Sequence, residues 1–292
     1  MTIRLGATAG RLLAGGIILA TVGGISAAGI ANAADEQGCL PPTISIVAAS
    51  GGLDVTGAGH VRPGWTRVTA SNPTDADHAF ELVRLHDGVT VERFHAGLET
   101  PDGAAALSLA DFYGGIDDVR HHTTWTMTVD LDRGHYVLVD HTQGPAGPDR
   151  PAWFTLPGFV RDFTVTGSHP TGARPPHQTA TMVMRDFAFE LPSALPRHGV
   201  VKVHSAGQLH AAGLLKFDPD VTIAQALTAV RGGQIPAGQQ REFLGIVSPG
   251  HPLYVGYDLE PGAYLVVSFL PDHDHGGIPQ AAQGMVAGFT VH

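Results

Sequence analysis

The sequence has a single cysteine, Cys39, which excludes any disulfide within the chain and leaves stability to packed apolar surfaces. It is nearly without lysine, having only Lys202 and Lys216, and its charged fraction is low at 15%. Acids outnumber bases, 27 to 17, for a formal net charge of −10. That balance excludes a nucleic-acid partner, whose phosphates demand a basic surface, and electrostatic attachment to anionic lipid. Long charged helices are also missing. Instead, 38 glycines and 21 prolines break the chain into short pieces, which favours strands joined by turns. No phosphate-binding loop, dinucleotide fingerprint or zinc-protease helix occurs, and neither Ser248 nor Ser268 has the Gly-x-Ser-x-Gly context of a nucleophile elbow.

The first 33 residues read as a secretory signal peptide. Arg4 and Arg11 precede an apolar run over Leu12–Val22, no acid occurs before Asp35, and Ala31-Asn32-Ala33 offers small residues for cleavage. An uncleaved membrane anchor is the alternative, weakened by Gly15, Gly16, Gly23, Gly24 and Gly29. Cleavage after Ala33 would remove two arginines and no acid, shifting the formal charge to −12. The expected location is therefore secreted or extracytoplasmic, with no membrane contact after signal cleavage. Glu36-Gln37-Gly38 before Cys39 does not form a lipid-attachment pattern.

Three segments recur in the same order. Asp130–Val139 matches Asp258–Val267, both of the form Asp-Leu-x-x-Gly-x-Tyr; Gly158–Val165 matches Gly284–Val291; and His78–Leu98 aligns without a gap on His210–Val230. Order and spacing kept over three blocks define an internal duplication. Each copy reads as six short strands rich in β-branched and aromatic residues. They are Thr43–Ala48, Trp65–Ala70, Phe80–Leu85, Trp125–Val129, Tyr136–Val139 and Phe163–Thr166, then Met182–Phe187, Val200–His204, Gly213–Phe217, Leu253–Tyr257, Tyr264–Phe269 and Phe289–Val291. Tyr136 and Tyr264, each two residues after a glycine, fit a tyrosine corner, in which the phenol bonds back to nearby backbone. One short helix per copy is expected, Val221–Val230 capped by Asp220 and a counterpart through Val91, His95 and Leu98. The expectation is thus an all-β chain of two tandem Greek-key β-sandwich domains, each with at most one short helix. Their bounds are 34–166 and 179–292, joined by a Pro-rich linker over 167–178.

Leu259-Glu-Pro-Gly-Ala-Tyr-Leu-Val-Val-Ser-Phe-Leu-Pro-Asp272, followed by Gly284-Met285 and Phe289-Thr-Val291, resembles the end of cupredoxin (plastocyanin-like) domains. Asn72–His78 and Ser205–His210 resemble the element that carries that family's first copper-ligating histidine. The resemblance implies a type 1 copper site of two imidazoles, a thiolate and a weak thioether. Carried over by position, the second copy keeps His210 and Met285, with Ser268 in the cysteine position and Gln280 in that of the loop histidine. The first keeps only His78, with Asp140 for the cysteine and Phe159 for the methionine. A hydroxyl or carboxylate cannot replace the thiolate, so the resemblance implies the fold but a degenerate copper site.

Asp272-His273-Asp274-His275 is the densest set of metal-ligating side chains, and His273 and His275 are candidates for zinc or copper if the loop curls. His121-His122 is a weaker pair, His95 fits a half-buried helix position, and the acid pairs Asp117-Asp118 and Asp272/Asp274 fit solvated turns. The favoured expectation is a secreted non-catalytic binding or interaction protein with no cofactor, whose partner is a protein or small ligand. The alternative is an extracytoplasmic copper- or zinc-binding protein using His273, His275, His210 and Met285. An enzyme with a site between the domains is a third reading.

Overall fold

Strand β3 (Gly64–Asn72) shows how the sequence builds the sheets: residues at even numbers are buried and those at odd numbers partly open, the period-two signature of a strand with one face in a core. In the computed structural model the described residues are 40–292, except 50, 77, 101–102, 120, 141–158, 168–172, 233 and 235–237. The signal segment, Cys39 and residues 168–172 of the proposed linker therefore lie outside them. Residues 38–292 form one compact unit. Among the described residues no helix is long and apolar enough to cross a membrane.

The first copy comprises β1 (Thr43–Ala49), β2 (Gly52–Thr56), β3, β4 (His78–Leu85), β5 (Ala110–Val119), β6 (Thr123–Leu131), β7 (Gly134–Asp140) and β8 (Val160–Val165). The second comprises β9 (Ala180–Arg185), β10 (Ala188–Glu190), β11 (Ala194–Leu195), β12 (His198–Ala206), β13 (His210–Phe217), β14 (Gly238–Val247), β15 (Leu253–Asp258) and β16 (Gly262–Val267). A two-stranded ribbon, β17 (Pro271–Asp272) and β18 (Ile278–Pro279), precedes the closing strand β19 (Val286–Val291). Helices α1 (Val91–Leu98) and α2 (Ala104–Leu107) belong to the first copy and α3 (Ile223–Arg231) to the second. The first copy thus exceeds the expected single helix by one four-residue turn. The cap of α3 is also corrected: Thr222, not Asp220, accepts from Gln225 N, while the Gln225 side chain accepts from Thr222 N.

The duplication is visible in the register. Tyr136 pairs with Phe163 across β7 and β8 as Tyr264 pairs with Phe289 across β16 and β19, and the rings stack with centroids 5.4 Å apart in both. Both tyrosine corners are present: Tyr136 Oη donates to Asp132 O at 3.1 Å and Tyr264 Oη to Glu260 O at 2.8 Å. The glycine before each corner sits under a long cationic side chain, Arg84 over Gly134 and Lys216 over Gly262, where a Cβ would intrude.

The two copies share their sheets. One sheet of eight strands runs β10-β9-β12-β15-β6-β3-β1-β2, and one of nine runs β11-β19-β16-β13-β14-β5-β4-β7-β8. The seam is formed by β15 against β6 and by β14 against β5, both antiparallel. Ser248 stitches it further, donating its N–H to Phe112 O at 2.9 Å and accepting from Phe112 N at 2.8 Å. The buried Glu81 carboxylate accepts from Ile246 N at 3.1 Å. Between the sheets lies one continuous apolar core drawn from both copies, with Tyr113, Tyr136, Met127, Tyr264 and Phe289 among its largest members. The outer face of the nine-stranded sheet packs under the helices, Phe94 and Leu98 of α1 on one copy and Ala226 and Val230 of α3 on the other. Loss of one corner hydrogen bond in Tyr136→Phe or Tyr264→Phe is expected to cost about 1 kcal/mol in urea unfolding, with the stacked ring left in place. Unchanged stability in both variants would contradict the corner's role.

Candidate functional site

The positions singled out by the copper resemblance meet inside each sandwich, at the ends of β4 and β7 in one copy and of β13 and β16 in the other. In the first copy, Asn72 N–H groups bond to Ala76 O and Val119 O, folding the loop before β4 so that Thr74 reaches His78. The His78 ring is 3% exposed and lies between Phe80 and Phe159, with both ring centroids 6.1 Å away. Its Nδ1 bonds to Asp140 Oδ2 at 2.6 Å, and its Nε2 meets Thr74 Oγ1 at 3.0 Å. The other Asp140 oxygen accepts from Ala79 N at 3.2 Å. Asp140, in the cysteine position, is fully buried. A carboxylate can only accept, so the proton between them belongs to His78 Nδ1 or is shared from it.

In the second copy, His210 Nδ1 lies 2.9 Å from Gln280 Oε1, and Ser268 Oγ donates to the same oxygen at 2.7 Å. Gln280 Nε2 donates to Leu209 O at 3.0 Å, which fixes the amide's orientation and leaves its oxygen facing the other two side chains. An amide oxygen cannot donate, so His210 Nδ1 carries a hydrogen and has no lone pair for a metal. Backbone bonds from Met285 N to Gln280 O and from Ser268 N to Met285 O hold the loop closed, and the Met285 side chain is buried in the main core. His210 Nε2 is buried without a hydrogen bond; Asp186 Oδ1 is 3.5 Å away, close enough for an ion pair but not aligned for a hydrogen bond.

In the second copy the side chains of His210, Ser268 and Gln280 are thus bonded to one another, and Met285 joins them through its backbone alone. In the first copy His78 bonds to Asp140, and Phe159 packs against the His78 ring. With Ser268 and Asp140 in the thiolate positions, these residues do not fit a type 1 copper ion.

The acidic loop is a separate feature. Asp272 is buried and caps the turn over His273–His275, accepting from Asp274 N at 3.1 Å, from His275 Nδ1 at 2.6 Å and from Gln283 Nε2 at 3.0 Å. Burial pushes its pKa up, but the bonds from Gln283 and His275 outweigh this and hold it below the ordinary carboxylate value. His275 is 63% exposed and meets Phe187 edge-on, with ring centroids 6.2 Å apart. The His273 side chain lies outside the described residues, as do those of Asp117 and Asp118. Among the described residues no group of three His, Cys, Asp or Glu side chains is placed to hold a metal. His121 and His122 occupy an exposed turn, and His95 is half-buried on α1 near Glu99.

Sequence reasoning missed Thr74, Asp186 and Gln283. Thr74 had a local signal, the Asn-Pro-Thr turn in which Asn72 Oδ1 accepts from Thr74 N. The other two act across long separations and had none.

The strand order, the two tyrosine corners and the convergence of the ligand positions define a cupredoxin-like sandwich present twice. Solved structures with likeness to the chain include auracyanin A, a "blue" copper protein from Chloroflexus aurantiacus, at 18% identity over 43% of this chain and 99% of that one, TM-score 0.28. A multicopper oxidase matches at 16% identity over 86% of this chain and 88% of its own, TM-score 0.23. The blue copper oxidase of Nitrosomonas europaea matches at 12% over 86% and 84%, TM-score 0.22. At such scores these likenesses assign no activity. No family model matches the chain, and no curated protein does.

Asp140→Ala would leave the His78 ring buried without its partner. It is expected to destabilise the protein by about 3 kcal/mol in urea unfolding, as breaking a buried pair does, whereas Asp162→Ala in the exposed His135–Asp162 pair should cost much less. Equal small losses in both would contradict the His78–Asp140 assignment.

Proposed function

We propose that the protein is a non-catalytic, extracytoplasmic binding or interaction protein, in which two fused cupredoxin-like sandwiches serve as a rigid frame without type 1 copper. The observation that carries this reading is the bonding of both histidines. His78 Nδ1 is committed to Asp140, and His210 Nδ1 to the Gln280 oxygen that also holds Ser268. Electron transfer through blue copper needs a thiolate that neither copy supplies. Ser248, one of the buried serines, holds backbone together across the seam rather than facing a base. Such a frame presents loops and sheet faces to a protein or small ligand. The extracytoplasmic location rests on the signal pattern over residues 1–33.

A second reading has one observation in its favour. Asp272 holds His275 Nδ1 and leaves Nε2 facing outward, the orientation that carboxylates impose on metal-binding imidazoles. In this reading His275, with His273, takes up zinc or copper at the surface.

Metal content and visible absorption of the purified protein test both. Protein incubated with one equivalent of Cu(II) is expected to show no intense thiolate-to-copper band. It should also retain no stoichiometric metal after desalting. A strong blue band would overturn the proposal. Retained zinc or copper that is lost in the His273→Ala, His275→Ala double variant would replace it with the second reading.

A further inference from the structure

Helices pack on the outer face of the nine-stranded sheet, whereas the outer face of the eight-stranded sheet is open along β3 and β6, where Trp65, Arg67, Thr69, Ser71, Thr124 and Thr126 are all partly or fully exposed. Register aligns this face in rows. Trp65 stands opposite Asp130, Arg67 opposite Thr128, Thr69 opposite Thr126 and Ser71 opposite Thr124. One row continues over the seam, from the buried Thr128 to the buried Tyr254, then the partly exposed Lys202 and the exposed Thr181. At its centre the Trp65 and Tyr254 rings meet edge-on at 5.3 Å, and Lys202 Nζ stands 5.9 Å from the Tyr254 centroid. Hydroxyls flank the aromatic pair, with Thr69 and Thr126 oxygens 3.4 Å apart and those of Ser71 and Thr124 at 3.1 Å.

The duplication shows that the fold does not demand this patch. Asp130 corresponds to Asp258, so the pair Lys202–Tyr254 corresponds to Thr69–Thr126. By the same register Trp65 corresponds to His198, and Arg67 to Val200. None of the four central residues is repeated, although the core residues beneath them are of the same apolar kind. The charge is also out of character for an acidic chain. Lys202 is one of only two lysines, and Arg67 lies three strands away, at roughly 14 Å from the usual strand spacing. His204, on the same face, has its pKa lowered by burial first and then by the charges of Lys202 and Arg185.

We propose that this face binds an acidic polysaccharide, with a sugar ring against the partly exposed Trp65, which packs edge-on upon the buried Tyr254, and uronate carboxylates on Arg67 and Lys202. Threonine and serine hydroxyls, each able to donate and accept, match the hydroxyls of a sugar chain, and a guanidinium suits a carboxylate. Two cations this far apart fit carboxylates spaced along a sugar polymer. They do not fit the dense phosphates of a nucleic acid. The surface gives a ligand class to the binding role proposed above and rests on that reading.

The test is affinity electrophoresis of purified protein, with its metal content measured on the same sample, through gels containing polygalacturonate or uncharged dextran. Polygalacturonate should retard the protein, less so at high salt, and dextran should not. Arg67→Ala and Lys202→Ala should each weaken the interaction about tenfold, Trp65→Ala should weaken it as well, and Arg93→Ala on α1 should not. Circular dichroism of each variant separates loss of binding from loss of fold. Equal retardation by dextran, or retardation unchanged in the folded variants, would overturn the proposal. No retardation by either polymer would overturn it in favour of a protein partner for this face. Those outcomes leave the copper-free reading standing, which only stoichiometric blue copper in the same sample would remove.

Discussion

A histidine ring buried between two sheets has to find a partner for each polar atom it hides, because an unpaired one costs about 1–3 kcal/mol. His78 and His210 are both buried at the same point of the duplicated fold, and much of the surrounding sequence follows from satisfying them. The two copies do so differently, and the second only in part, since His210 Nε2 stays without a hydrogen bond, 3.5 Å from Asp186 Oδ1. The first uses a carboxylate and a threonine hydroxyl, with Phe80 and Phe159 closing off the sides of the ring. The second uses an amide oxygen shared with a serine, and turns the amide nitrogen to a backbone carbonyl. In each, the group in the thiolate position has become part of a hydrogen-bond network that a metal would have to break. This links the polar core to the functional reading: the sites are not merely short of a ligand but bonded shut.

The second constraint is the seam. Because β5 pairs with β14 and β6 with β15, the copies share a core and two continuous sheets. That sharing removes four strand edges that two separate sandwiches would expose, and it creates a sheet face wider than either copy alone. Trp65 and Arg67 come from one copy, Tyr254 and Lys202 from the other, so the central patch of that face exists only because the copies are fused.

The duplication, twelve strand cores and both tyrosine corners were legible because they rest on local patterns: alternation, turn glycines and a repeated Asp-Leu-x-x-Gly-x-Tyr block. Of the four seam strands, β5 and β14 were not. Strand β5 carries Gly114 and Gly115 in mid-strand, a pairing that reads as a turn. Gly115 instead lets β4 approach, since a Cβ there would collide with the Phe80 carbonyl. The strand expected over Met182–Phe187 ends earlier, at Arg185, and Phe187 takes a left-handed turn position at φ 61° that no glycine or asparagine announced. The ligand positions were readable one by one. That Gln280 would bridge His210 and Ser268 was not, because it depends on how a loop closes through bonds among Ser268, Gln280 and Met285 backbone.

Visible spectroscopy of the double variant Ser268→Cys, Gln280→His after addition of Cu(II) tests the central claim most directly. The exchange removes the amide oxygen that occupies His210 Nδ1 and supplies both missing ligands beside the buried Met285. An intense thiolate-to-copper band is predicted for the double variant and for neither the native protein nor Ser268→Cys alone. A folded double variant without the band, or a native protein with it, would contradict the account.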